Sequence, residues 1–100
     1  MLEIVATVEA VDILGKSYAG AALWEFDARW AVVVSVESVG AGEGIPASLA
    51  AGSSFAFAVH SPTHVFAYVC SSDDAVGLKL RFELSLTGPR TWRVVARERA

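Results

Sequence analysis

His60 and His64 stand four residues apart, a spacing that puts two imidazoles on one face of a helix. With Cys70 or Asp73 as a third ligand they would make a metal site. Pro62 falls between them and interrupts any continuous helix, and the chain has no HExxH and no CxxC spacing. The pair therefore reads as a polar cluster, one histidine at a strand end and one at a helix cap, with no metal and no cofactor implied. Cys70 beside either histidine is formally a nucleophile and a base. Nothing around it carries a catalytic signature, and a lone cysteine in a small domain usually packs as a small apolar side chain. Asp73-Asp74 lacks the alternating ligands of a calcium loop, and Gly40-Ala41-Gly42-Glu43-Gly44 lacks the Lys-Ser/Thr of a phosphate loop. No residue is assigned a catalytic role, and a non-enzymatic protein is expected.

The other chemistry on offer is stacking and charge. Tyr18, Trp24, Phe26 and Trp92 with Arg29, Arg81, Arg93 and Arg97 are the types that hold single-stranded nucleic acid, aromatic platforms beside cations. The candidate binding surface is Arg81, Arg93, Arg97, Trp92, Trp24 and Tyr18. Glu25 and Asp27 flank Phe26 and oppose a phosphate backbone there. The competing reading makes these aromatics core and rim.

Charge is unevenly spread. Residues 1–78 hold two cations and nine carboxylates; residues 79–100 hold six cations and two carboxylates. The net charge of −3 disfavours a dedicated nucleic-acid protein. A basic final hairpin paired with acidic neighbours in its own sheet accounts for the asymmetry more simply than a polyanion-binding face. Hydrophobic residues make up 54% and charged residues 19%, against about 25% charged in ordinary soluble domains. That excess fits alanine filler, a tightly filled barrel, or an apolar patch covered by a protein partner or a second copy. The longest uncharged stretch, 44–72, is broken by Pro46, Gly52, His60, Pro62 and His64, so no membrane span is expected. Met1-Leu2 is followed by Glu3 and an alternating pattern, without a basic leader. With one cysteine, no internal disulfide forms, and a reducing, cytoplasmic setting is expected.

These side chains have to be held by strands. Residues 78–86 alternate strictly, with Leu78, Leu80, Phe82, Leu84 and Leu86 between Lys79, Arg81, Glu83 and Ser85, the period of a strand with one dry face. Strands are likewise expected near 2–13, 28–38, 54–60 and 91–97. In the first, a change of phase near Ala10-Val11 predicts a bulge. Gly15-Lys16-Ser17 predicts a turn, and 16–26 fits strand, helix or loop. Pro46–Gly52 allows one helical turn, and Ser61-Pro62 opens a short helix over 62–69 whose Val65, Phe66 and Val69 would plug a barrel. With no long helix to cover it, the sheet has to curl and bury Leu80, Phe82, Leu84, Trp30, Val32, Val34, Phe55 and Phe57 together.

One all-β domain over 1–100 follows: a small five- to six-stranded antiparallel barrel with a short helix between strands three and four. In element order and length it resembles the OB-fold, a five-stranded Greek-key barrel. The expected function is a non-catalytic interaction module that binds a protein partner or associates with itself. The resemblance implies single-stranded nucleic-acid binding as the alternative, and small-ligand binding at the barrel mouth as a third.

Overall fold

The computed structural model describes residues 1–15, Tyr18, Ala21, 23–42 and 44–100. Lys16, Ser17, Ala19, Gly20, Ala22 and Glu43, which belong to the expected first turn, the ambiguous 16–26 segment and the glycine-rich loop, lie outside the described residues. The elements in chain order are β1 (Leu2–Ile13), β2 (Leu23–Trp24), β3 (Trp30–Val39), β4 (Ser54–Val59), α1 (Pro62–Phe66), a 3-10 turn (Ser72–Asp74), β5 (Lys79–Leu86) and β6 (Trp92–Arg99). They form one curled sheet of order β2-β4-β3-β1-β5-β6. All pairings are antiparallel except the short β2–β4 pair, which sets Leu23 beside Phe57 and Trp24 beside Ala58.

Alternation builds the interior. Leu2, Ile4, Ala6 and Val8 of β1, Val32, Val34 and Val36 of β3, and Leu80, Phe82 and Leu84 of β5 are all buried, while their odd-numbered neighbours are half-buried or exposed, apart from the small Ala31. Phe55, Phe57, Phe82 and Phe66 form an aromatic chain across it, with centroids 4.9, 6.3 and 6.4 Å apart in succession. Offset and edge-on contacts of this kind add about 0.5–1.5 kcal/mol each beyond the area buried. Val65 and Phe66 of α1 close one end of the curl as fully buried side chains. Pro62 at the first helical position starts that helix without a side-chain cap from Ser61.

The curl is helped by three bulges. Pairing slips by one residue at Glu9 in β1, at Glu37 in β3 and at Arg97 in β6. An extra residue bends a strand and increases its twist. Each bulged residue is charged, and each finds a cross-strand partner: Glu9 accepts from the Ser54 hydroxyl at 3.2 Å, Glu37 meets Lys79 at 2.7 Å, and Arg97 meets Glu83 at 3.0 Å. The bulge at Glu9 accounts for the change of phase read at Ala10-Val11, because Val11 and Ile13 follow it in shifted parity.

Three expectations are corrected. Trp30 is 38% exposed instead of buried, because it begins β3 beyond the end of the core, on the same face as Val32. Leu86, on the dry parity of β5, is 61% exposed, because it is the last residue of its strand and among the described residues no strand lies over that end of the hairpin. The 46–52 segment makes successive turns in place of a helical turn, with Ser53 Oγ donating to the Ser48 carbonyl at 3.0 Å. Gly52 stands there at φ +85° and donates to the Val36 carbonyl at 2.8 Å. Among the described residues no helix is long and apolar enough to cross a membrane.

Candidate functional site, an aromatic seam between two sheet edges

The sheet leaves an opening between its two ends. β6 approaches β2 and β4, but no strand pairing joins them. One bank of this seam is the segment that follows β2. Its backbone is laced to the end of β4: Glu25 N–H donates to the Ala58 carbonyl at 2.8 Å and Arg29 N–H to the Val59 carbonyl at 3.1 Å. The His60 N–H in turn donates to the Glu25 carboxylate at 3.0 Å. His60 Nδ1 lies 3.3 Å from the Asp27 carbonyl oxygen and 4.0 Å from its carboxylate. Asp27 turns the chain at φ +56°, a left-handed conformation that aspartate tolerates better than most residues. Between these fixed points Phe26 projects outward, 84% exposed.

The other bank is the β5–β6 turn. Thr87 N–H donates to the Thr91 carbonyl at 2.9 Å, and the two threonine hydroxyls meet at 3.1 Å. Gly88 lets the turn close tightly, since a Cβ would sit 2.7 Å from the Thr91 hydroxyl and force it to shift. The turn sets Leu86 opposite Trp92 in register. Trp92 is half-buried, packed against the core on its inner side.

Trp92 joins two clefts. The first, about 700 Å³, is walled by Met1, Leu2, Leu84, Leu86, Pro89 and Trp92. The second, about 310 Å³, holds Phe26, Trp92, Thr87 and Arg93, with Glu25, Asp27 and His60 on the far side. Together they make a continuous apolar strip with acid on one bank and a guanidinium on the other. Arg93 has no ion-pair partner among the described residues, whereas Asp27 reaches Arg29 at 3.4 Å.

The candidate residues are distributed as follows. Trp92 and Arg93 belong to the seam. Trp24 lies on β2 beside it, its indole N–H donating to the Ala21 carbonyl. Tyr18 N–H donates to the Gly15 carbonyl at 3.0 Å in the loop before β2. Arg81 and Arg97 lie on the outer face of the β5–β6 hairpin. Arg81 pairs with Glu98 at 2.8 Å. Arg97 donates to both Glu83 oxygens, at 3.0 and 3.1 Å, and stacks over the Tyr68 ring at 5.2 Å. That hydrogen-bonded guanidinium holds the Glu83 carboxyl below its usual range, and Arg97 is raised in turn. Half of the hairpin's cations are thus met by carboxylates of their own sheet: Arg81, Arg97 and, through Glu37, Lys79. His60 serves the Glu25–Asp27 bank, while His64 is exposed in the last turn of α1. Among the described residues no three His, Cys, Asp or Glu side chains gather as a metal ion requires.

Leu86, Met1 and Pro89 were not singled out from the sequence. Leu86 had a signal, an apolar residue placed directly before Thr87-Gly88-Pro89, where a strand runs out of neighbours to bury it. Phe26 had one too: a carboxylate on either side marks an exposed turn. No protein family, curated protein or solved structure matches this chain.

Proposed function

We propose that this domain is a non-catalytic interaction module whose docking surface is the seam around Trp92. One observation carries the reading: Phe26 is held almost fully in solvent by a backbone pinned on both sides of it. Scattered exposed apolar residues are ordinary, but a contiguous strip on a rigid scaffold marks a surface that another molecule covers. Phe26, Trp92, Leu86 and Met1 supply such a strip, and aromatic anchors of this kind dominate interface energies. The half-buried lone thiol of Cys70 suits a reducing, cytoplasmic setting.

The OB-fold reading is supported by strand order. With two-residue β2 set aside, β4-β3-β1-β5-β6 is the order of a five-stranded Greek-key barrel opened between its third and fifth strands, with α1 between the third and fourth. In that fold, ligands use the loops after the first strand and between the last two, and the seam is built from those same loops. This favours single-stranded nucleic acid as a second reading, with Phe26 and Trp92 stacking and Arg93 on phosphate. Glu25 and Asp27 in the same cleft weigh against it.

A photo-crosslinking residue in place of Phe26, expressed in cells, tests the first reading. The expected result is one discrete protein adduct that is absent when the crosslinker replaces Val76, an exposed residue outside both clefts. No adduct from position 26 overturns the proposal. Anisotropy of labelled single strands decides the second, since phosphate-driven binding falls steeply with added salt.

A further inference from the structure

The seam has a charge pattern that singles out one occupant. Its β2–β3 bank carries Glu25, Asp27 and the ring of Phe26; its β6 bank carries Arg93 and the ring of Trp92. Acid faces base across one apolar groove. A two-fold axis running along such a groove lays the acidic bank of one copy on the basic bank of the next, and repeats the contact symmetrically. We propose that the partner covering the seam is a second copy of this chain, in a closed two-fold dimer; this rests on the interaction-module reading above.

Isologous interfaces are self-complementary by necessity, and a surface qualifies only if rotation brings unlike charge and matched apolar groups together. The seam meets both conditions. Phe26 of one copy falls on Trp92 of the other, and Glu25 falls on Arg93. Arg93 is unpaired among the described residues, so it is free to serve the partner. Among the described residues Glu25 accepts from a backbone N–H and meets no cation. A nucleic acid would leave Glu25 and Asp27 repelled, and a uniformly charged protein would satisfy one bank only. The first cleft, walled by Met1, Leu86 and Pro89, extends the same strip and supplies apolar area at the ends of the interface. The low charge content of 19% is compatible with a chain that hides part of its surface against its own copy.

Sedimentation velocity of the purified full chain over a wide concentration range tests the dimer. Wild type is expected to pass from monomer to dimer, and Phe26→Ser to remain monomeric, with the same melting curve as wild type below the association range. Arg93→Glu and Glu25→Lys should each weaken self-association about tenfold or more, because each puts like charges face to face twice. An equimolar mixture of the two charge-reversed proteins should dimerise as wild type does, since both contacts of the mixed pair regain opposite signs. A wild type that stays monomeric at all concentrations overturns the self-association proposal. So does a dimer indifferent to these changes, which would use another face. If the protein is monomeric yet residue 26 crosslinks to a different protein in cells, the second-copy proposal falls while the interaction-module reading stands.

Discussion

Phe57 and Phe26 are the same side chain placed on the two sides of one problem. Phe57 lies in β4 with strands on both flanks and rings of Phe55 and Phe82 against it, fully buried. Phe26 follows β2, where the sheet ends, and stands in solvent. Both segments are hydrogen-bonded and both are placed by β4. The difference is the neighbouring strand: the interior is sealed wherever β1, β3 and β5 supply one, and the aromatics surface where the curl stops short of joining β2 to β6. An open sheet can hold aromatic residues at its gap only if something outside the chain covers them or if solvent is tolerated, and this contrast is open to measurement.

The largest effect is expected in the interior. Phe82→Ala removes the ring that touches both Phe57 and Phe66 and should cost about 3–5 kcal/mol in urea unfolding. For a domain at the low end of ordinary stability, about 5 kcal/mol, that removes most of the margin. Phe26→Ala, measured below the association range, should shift stability by no more than about 0.5 kcal/mol. If the two changes cost the same, the sealed and open regions are not distinct. Between them lies Gly52, at φ +85° with open space where a side chain would go. Gly52→Ala adds backbone strain and no clash, and should cost about 1–2 kcal/mol while leaving self-association unchanged. A loss of association in that variant would mean that the β3–β4 turn, and not the seam alone, shapes the interface.

The interior was the legible half. Period-two alternation in 2–8, 30–36 and 78–84 places every large side chain that the structure buries there, because a strand's parity is local information; it also puts Trp30 inside, where the structure leaves it exposed. Bulges are legible where they shift apolar parity over several residues: the one at Glu9 shows as Val11 and Ile13 changing phase, the one at Glu37 moves the single Val39 onto the core side just before the strand ends, and the one at Arg97 falls among polar residues. The seam was harder to see. Trp92 and Arg93 stand out by type, but what they face is decided by where β2 ends relative to β6, two elements far apart in the chain, and by no local pattern. Trp30 and Leu86 show the limit of parity itself. It says which face a residue takes and not whether the sheet extends far enough to cover it.

The smallest expected effect belongs to the outer face of the hairpin, where charge was read as internally paired. Glu83 accepts two hydrogen bonds from Arg97, which lies over Tyr68, and its carboxyl is held below the usual range chiefly by those bonds. A carboxyl with a depressed folded-state pKa contributes stability that is fully present above its unfolded value and is lost as pH falls through the folded one. The urea midpoint of wild type should therefore exceed that of Glu83→Gln at neutral pH, and the two should converge as the pH drops below the ordinary carboxylate range. Because the pair is solvent-accessible, the gap should be small and should narrow further in 1 M salt, where the screening length is about 3 Å. A gap that survives at low pH and high salt would assign the contribution to Arg97 packing on Tyr68 instead of to charge. A neutral-pH gap as large as that of Phe82→Ala would remove the distinction between a sealed interior and a solvated exterior on which the seam is identified.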